Sequence, residues 1–100
     1  MFNIKEELSL AARLEMIAEE ASELSQAALK RARYERGENP VGRSEKELDD
    51  SLTEEITDLL LAVAATDYRP DWQIMNRKKK RWQNRMEAMK EKHAAEADDD

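Results

Sequence analysis

The chain has 100 residues, of which 40% are charged and 40% are hydrophobic, and its formal net charge is −6. This length sets an upper limit of one domain. The absence of cysteine excludes disulfides, thiolate zinc sites, iron–sulfur clusters and a cysteine nucleophile. Five aromatic residues, two glycines and two prolines are too few for the strands and turns of a sandwich or barrel, whereas strong helix formers dominate. We therefore expect an all-α protein.

The longest uninterrupted apolar run, residues 59–65, has seven residues. A helix needs about 18 apolar residues to cross a bilayer. The N-terminal stretch is acidic and does not have the layout of a signal peptide. These features predict a soluble, cytoplasmic protein without a membrane partner.

The first predicted helix runs from about Ile4 to Tyr34. Its apolar residues recur at alternating intervals of four and three, a spacing that is typical of a long amphipathic helix. They are Leu10, Leu14, Ile17, Ala21, Leu24 and Ala28. Gly37 and Pro40 favour an end to this helix, because glycine tolerates a left-handed cap and proline cannot continue the helical hydrogen bonds.

A second helix is predicted to start after Ser44, which forms a capping-box pattern with Glu47, and to run to about Thr66. Its apolar seam consists of Leu48, Leu52, Ile56, Leu59 and Val63. Pro70 suits the first turn of a third helix. The apolar stripe of that third helix consists of Trp72, Met75, Trp82, Met86 and Met89.

We assign residues 1–93 to one helical domain and expect the acidic tail 94–100 to be disordered, because it has nothing to bury. At ~1.5 Å per residue the first helix would span roughly 45 Å, which exceeds the width of a compact domain of this size. Three long helices with a single Phe do not close a well-filled core. We therefore expect a long-helix bundle completed by oligomerisation, as a homodimer or homotetramer.

The charges are unevenly placed along the chain. Residues 1–68 hold 8 basic and 16 acidic side chains, whereas residues 69–93 hold 9 basic and 3 acidic ones. The third predicted helix is therefore cationic although the chain as a whole is acidic. Such a helix is suited to fold over a carboxylate-rich surface, or over an anion bound between the two.

Two carboxylate pairs with i, i+3 spacing lie at the edges of the apolar seams. Glu20 and Glu23 have this position on the first helix, and Glu55 and Asp58 have it on the second, both among Ala and Ser residues. Carboxylates that share an interior lose hydration and repel one another unless a cation neutralises them. Since the only histidine lies near the end of the third helix, a site made of oxygen ligands suits Mg²⁺ or Mn²⁺. Mg²⁺ commonly completes its shell with substrate phosphates.

A solvent-exposed acidic face is the alternative to a metal site. The chain has 23 acidic residues, so a single Glu-Glu-x-x-Glu motif carries little information. Two pairs with the same spacing and similar neighbours favour the metal site. Glu19 points away from the seam, which fits a surface residue or one that supports the ligands.

The two acidic motifs resemble those of a known enzyme family. Glu19-Glu20-Ala21-Ser22-Glu23 and, after 31 intervening residues, Glu55-Ile56-Thr57-Asp58 match the EExxE and ExxD signature of the MazG-type all-α nucleoside triphosphate pyrophosphohydrolases. Relatives of this family are the dimeric dUTPases, the dCTP pyrophosphatases and phosphoribosyl-ATP pyrophosphatase. The similarity covers about residues 8–86 and includes the Asn39-Pro40 loop and the basic third helix.

The resemblance implies Mg²⁺-dependent hydrolysis of an NTP or dNTP between the α and β phosphates, which releases a nucleoside monophosphate and pyrophosphate. It assigns the metal to Glu20, Glu23, Glu55 and Asp58. One of these carboxylates, or Glu19, would then assist the deprotonation of the attacking water.

The basic third helix supplies candidate substrate contacts. The stretch from Lys78 to Arg85 is similar to the family's phosphate-contacting segment. Lys78, Lys79 and Arg85 border the apolar stripe, and Trp82 is a candidate to stack on the base. Arg13 is a further phosphate candidate. The structural alternatives are cations that extend beside a helix seam and a tryptophan that belongs to the core.

A non-catalytic helical module is the second functional hypothesis, in which the basic helix binds nucleic acid or a protein partner. The net charge of −6 and the sixteen acidic side chains of residues 1–68 would repel a DNA backbone. Loss of the catalytic function would also be expected to remove at least one of the four acids. We therefore predict the pyrophosphohydrolase, with a nucleoside triphosphate as substrate and no nucleic acid partner.

Overall fold

A computed structural model describes residues 1–39 and 42–98, and these residues form helices and no strand. The helices are α1 (Ile4–Glu7), α2 (Leu10–Glu35), α3 (Glu45–Ala64) and α4 (Trp72–Asp98). The all-α prediction is therefore confirmed for this part of the chain. None of these helices is both long enough and apolar enough to span a membrane. The chain divides into two compact units, Met1–Arg69 with α1 to α3 and a second unit that begins at Pro70 and contains α4.

The N-terminal region corrects the prediction of one continuous first helix. The backbone is extended at Leu8, with φ −105° and ψ 138°, and α2 starts anew after Ser9. The Ser9 hydroxyl accepts a hydrogen bond from the backbone N–H of Ala12 at 3.1 Å, and Asn3 caps α1 in the same way. A serine hydroxyl that bonds to the local backbone favours a helix start over a helix interior. The predicted helix is therefore two helices.

The predicted capping box at the start of α3 is confirmed. The Ser44 hydroxyl accepts from the Glu47 amide at 3.2 Å, and the Glu47 carboxylate accepts from the Ser44 amide at 3.3 Å. The hydrogen bonds from Ser44 lower the pKa of Glu47. Before the loop that joins α2 to α3, α2 ends at Glu35. Gly37 has a left-handed φ of 79°, which is favoured at the C-terminal cap of a helix. Pro40, the second predicted helix breaker, lies outside the described residues.

α2 and α3 pack as an antiparallel hairpin. Arg31 near the end of α2 pairs with Glu45 at the start of α3, whereas Arg13 near the start of α2 reaches Ala65, just beyond the end of α3. The buried residues of the hairpin are few and mostly small: Ala27, Leu48, Ala62, Ala65 and Thr66. The hairpin therefore has close helix contacts but only a small apolar core.

Part of the predicted apolar seam is exposed in the hairpin, including Leu10, Leu14 and Ile56. Leu60 and Leu61, which lie outside the predicted seam of α3, each have about two thirds of their surface accessible. Exposed apolar surface of this extent on a small unit is typical of an interaction surface. The periodicity therefore identified the apolar side of each helix, but the packing of the two helices covers only part of it.

α4 begins at Trp72 and not at Pro70, which was predicted to lie in its first turn. Between them, the Asp71 carboxylate accepts from two backbone amides of the first turn at 2.9 and 3.1 Å, so Asp71 caps the helix. α4 continues to Asp98. Of the predicted tail 94–100, the residues up to Asp98 are therefore helical, and the last two lie outside the described residues.

Candidate metal centre

The antiparallel packing of α2 and α3 brings the two i, i+3 acidic pairs together. Glu20, Glu23 and Glu55 each place one carboxylate oxygen within 4.8 Å of the other two. Oxygens on opposite sides of one Mg²⁺ lie about 4.2 Å apart. These three side chains therefore lie near the spacing of ligands that share one cation. With Asp58 they are called the carboxylate cluster below.

Asp58 lies further from Glu20, Glu23 and Glu55 than these three lie from one another. It is not one of the three closely spaced carboxylates, but its negative charge is among the causes that raise the pKa of Glu20 and of Glu55. Its side chain is half-buried on the inner side of α3. Glu19 is exposed, and its charge has the smallest effect on the pKa of Glu20. The structure therefore brings three of the predicted site residues together, with Asp58 near enough for its charge to act on Glu20 and Glu55 and with Glu19 exposed next to Glu20.

The carboxylate cluster is electrostatically unfavourable by itself. Burial is the main cause that raises the pKa of Glu20 and of Glu55 above the ordinary 4.5, and the negative charge of Glu23 is the next cause. The Oε2 atoms of Glu20 and Glu55 are buried and have no hydrogen-bond partner among the described residues. An ionised oxygen that has lost water without gaining a donor is destabilising. A cation bound at this point would relieve both the repulsion and the missing contacts.

The chemistry of the donor set decides which cation fits. The cluster offers carboxylate oxygens alone, since the chain has no cysteine and its single histidine, His93, lies on α4. Hard cations such as Mg²⁺ and Mn²⁺ prefer oxygen ligands, whereas zinc and copper normally recruit nitrogen or sulfur. The two buried oxygens without partners and the oxygen-only donor set both fit Mg²⁺ or Mn²⁺.

A polar hollow of about 270 Å³ adjoins one side of the carboxylate cluster. Glu23 and Glu55 form part of its wall, together with the cations Lys30 and Arg43. The sequence analysis missed both cations. Lys30 is seven residues after Glu23, so it lies two turns further along the same helix face, and this spacing was available as a signal. No local pattern indicates Arg43, which precedes α3 and reaches the hollow only through the fold.

An apolar hollow of about 280 Å³ lies at the other side of the carboxylate cluster. Glu20 and Asp58 form its polar edge. Its remaining lining residues are apolar: Ile4, Met16, Leu61 and Ala62. The cluster therefore separates a space with two cations from a space with apolar walls.

Arg13, a predicted phosphate contact, is engaged with the backbone. Its guanidinium donates to the carbonyl of Leu8 at 3.3 Å and to the carbonyl of Ala65 at 3.0 Å. These bonds connect the break before α2 with the end of α3. The structure therefore places Arg13 at a helix junction, where its contacts support the hairpin.

The other predicted substrate contacts all lie on α4, in the second unit. Lys78, Lys79 and Trp82 line one hollow of about 430 Å³ together with Met75, and Arg85 lies one turn beyond Trp82. Trp82 is exposed, as are the three cations. On α4 the structure thus groups an aromatic side chain with cations, as the helical spacing predicts.

Comparison of the chain with models of protein families, with curated proteins and with solved structures found no significant match. The functional argument therefore depends on the residues and their geometry.

Proposed function

We propose that the protein is a Mg²⁺-dependent nucleoside triphosphate pyrophosphohydrolase, which hydrolyses an NTP or dNTP to the monophosphate and pyrophosphate. The observation that carries this proposal is the carboxylate cluster, in which Glu20 and Glu23 of α2 meet Glu55 of α3 and two buried oxygens have no hydrogen-bond partner among the described residues. The resemblance of both motifs to the MazG-type signature supports the same reaction. A purely structural role does not account for acids that repel one another between two packed helices.

Glu20, Glu23, Glu55 and Asp58 are the residues that would hold the metal, with Mg²⁺ favoured and Mn²⁺ as the alternative. When bound, the metal would neutralise phosphate charge and polarise the phosphoanhydride. The four carboxylates would fix the position of the triphosphate between the two hollows. Their negative charge also disfavours a phosphate chain that arrives without a divalent cation.

Proton transfer requires a carboxylate that accepts a proton from the attacking water. The candidates are a member of the carboxylate cluster and Glu19, which is exposed next to Glu20 on α2. A general base acts best within hydrogen-bond reach of the water and with a pKa near the working pH. Burial and repulsion raise the pKa of Glu20 and Glu55 in the metal-free protein, and a bound cation would oppose that shift.

We further propose that the active form is a homo-oligomer, a dimer or a tetramer. The small core of the hairpin and the exposed leucines of α2 and α3 support this proposal. Association of two hairpins would bury the apolar surface that one hairpin leaves exposed. Light scattering at micromolar concentration is expected to give a dimer or tetramer, and a stable, folded monomer would contradict the proposal.

A non-catalytic interaction module is the alternative, and α4 is the observation that favours it. This helix exposes Trp72, Trp82 and Met86 beside a row of cations. In that case the basic helix would bind a polyanion or an acidic protein surface, and the carboxylate cluster would have no role in it. Replacement of Lys78 or Arg85 by Gln would then abolish partner binding.

The deciding experiment is a screen of canonical and modified NTPs and dNTPs with Mg²⁺ and detection of pyrophosphate. The wild-type protein is compared with Asp58→Asn and with Glu54→Gln, a matched control that removes an exposed charge from the same helix. We expect Asp58→Asn to reduce turnover by orders of magnitude and Glu54→Gln to retain it. A wild-type protein that hydrolyses no nucleotide and melts at the same temperature with and without Mg²⁺ would overturn the enzyme proposal.

A further inference from the structure

The polar hollow beside the carboxylate cluster brings opposite charges to one space. Its wall contains Glu23 and Glu55 from the cluster, and Lys30 and Arg43 on the side away from it. The polar side chains of Gln26 and Ser51 and the apolar side chains of Ala27 and Leu48 complete the lining. A wall that combines metal-binding acids with cations suits a ligand that carries negative charge and a bound metal at the same time.

Arg43 is held in place at this hollow by α3. Its Nη2 donates to the Ser51 hydroxyl at 2.8 Å and to the Glu47 carbonyl at 3.4 Å. Its Nε lies 3.9 Å from the nearer carboxylate oxygen of Glu47, a long ion pair. A guanidinium has five N–H donors, one on Nε and two on each Nη, so the two N–H groups of Nη1 stay available for a ligand. Arg43 is thus oriented in advance and keeps donors for an anion.

Lys30 differs from its neighbour Arg31 in its partners. Arg31 forms ion pairs with three carboxylates, whereas Lys30 forms no ion pair with any described residue. Its charge is therefore not neutralised within the hairpin. A lysine that lines a hollow without an acidic partner is suited to a phosphate group.

We propose that the polar hollow binds the β and γ phosphates of the substrate, the part that leaves as pyrophosphate, through Lys30 and Arg43. This inference rests on the proposed pyrophosphohydrolase function and adds the orientation in which the substrate binds. The α phosphate then lies over the carboxylate cluster, and the nucleoside extends toward the apolar hollow that contains Met16 and Leu61. The polar hollow supplies two cations for the phosphates, and the apolar hollow supplies apolar walls for the nucleoside.

The experiment measures binding of inorganic pyrophosphate in the presence of Mg²⁺ by isothermal titration calorimetry. Lys30→Gln and Arg43→Gln are compared with wild type and with Arg33→Gln, which removes one exposed positive charge from α2 away from the hollow. We expect each of the first two variants to bind pyrophosphate at least about 10-fold more weakly, the loss of one charge-assisted contact. Their affinities for Mg²⁺ and for a nucleoside monophosphate should stay within about 2-fold of wild type, well below that tenfold step. Circular dichroism checks that each variant is helical.

The outcomes separate this inference from the proposed function. If wild type hydrolyses NTPs but both variants bind pyrophosphate as tightly as Arg33→Gln, the phosphate assignment is wrong and the enzyme proposal stands. If Lys30→Gln and Arg43→Gln weaken the binding of the nucleoside monophosphate and of pyrophosphate equally, the proposed orientation of the substrate is wrong. If wild type hydrolyses no NTP, the enzyme proposal fails. A selective loss of pyrophosphate binding in the two variants would still support a phosphate site in the polar hollow. If wild type does not bind pyrophosphate at millimolar concentration, the polar hollow is not a phosphate site.

Discussion

Two groups of acidic side chains lie in the same hairpin and differ in whether the chain supplies a cation. Near the loop that joins α2 to α3, Arg31 contacts Glu35 at 2.6 Å, Glu45 at 2.9 Å and Asp49 at 2.6 Å. We call this group the Arg31 cluster. Toward the middle of the hairpin, Glu20, Glu23 and Glu55 of the carboxylate cluster form no ion pair with a Lys or Arg in the described part of the chain.

The electrostatics of the two clusters are opposite. Hydrogen bonds to Asp49 and Glu35 raise the pKa of Arg31, so its charged form is favoured, and its side chain is only 17% exposed. In the carboxylate cluster, burial and repulsion raise the pKa of Glu20 and Glu55, so their charged forms are disfavoured. The ion pairs of the Arg31 cluster therefore stabilise the folded chain, whereas repulsion within the carboxylate cluster opposes folding of the metal-free chain. Groups that oppose the fold in this way are candidates for function.

Glu55→Gln should have the largest effect on the carboxylate cluster. Without this ligand we expect turnover to fall by orders of magnitude and to lose its steep dependence on Mg²⁺ concentration. The melting temperature of the metal-free protein should stay level or rise, because a repelling charge is removed. Activity assays and thermal melts with and without Mg²⁺ measure both effects. A variant that is less stable but fully active would show that Glu55 has a structural role.

Arg31→Met should lower stability and leave activity nearly unchanged, the reverse of the effects expected for Glu55→Gln. The substitution leaves three carboxylates without their cation, so we expect the melting temperature to fall by several degrees. Activity per folded molecule should change little, because Arg31 does not line either hollow beside the carboxylate cluster. Arg33→Met is the matched control, and an equal loss of stability in that variant would contradict a specific role for Arg31.

The pH dependence of stability should distinguish Glu55 from an ordinary surface acid. Because the folded protein raises the pKa of Glu20 and Glu55, each charged group destabilises the metal-free fold above that raised pKa. The destabilisation is lost as the pH falls through the raised pKa toward the ordinary value of 4.5. The stability advantage of Glu55→Gln over wild type should therefore be largest at pH 7 and shrink as the pH approaches 4.5. Melts of both proteins in chelator between pH 7 and pH 5 measure it, and a constant difference would contradict the assignment.

Ser44→Ala should have the smallest effect on stability, and this effect should be confined to the end of the hairpin that contains the Arg31 cluster. The change removes the capping box at the start of α3, where Glu45 lies, and should cost about 1 kcal/mol of unfolding free energy. Affinity for Mg²⁺ should not change, because the carboxylate cluster lies further along the hairpin. Denaturant unfolding gives the first quantity and calorimetry the second. Loss of Mg²⁺ affinity would show that the two clusters are coupled.

The amino-acid sequence predicted the local features of the hairpin. The apolar periodicity located the helices, the Ser44 and Glu47 pattern located the start of α3, and the i, i+3 spacing placed each acidic pair on one side of its helix. The break before α2 was missed although the predicted seam begins only at Leu10, directly after Ser9. The extended backbone at Leu8 and the hydrogen bond from the Ala12 amide to the Ser9 hydroxyl identify that position as a helix start.

The tertiary structure decided which side chains from different helices share a space. It brought Arg43 beside Lys30 and the carboxylate cluster, placed Arg13 on the carbonyl of Ala65, and left Leu61 exposed although it belongs to the apolar run of α3. Helical periodicity relates residues three and four positions apart, and this relation is contained in the sequence. The meeting of α2 with α3 depends on the loop between them and on the few small buried residues that set their distance. These determine the partners of each side chain, and no local spacing contains that information.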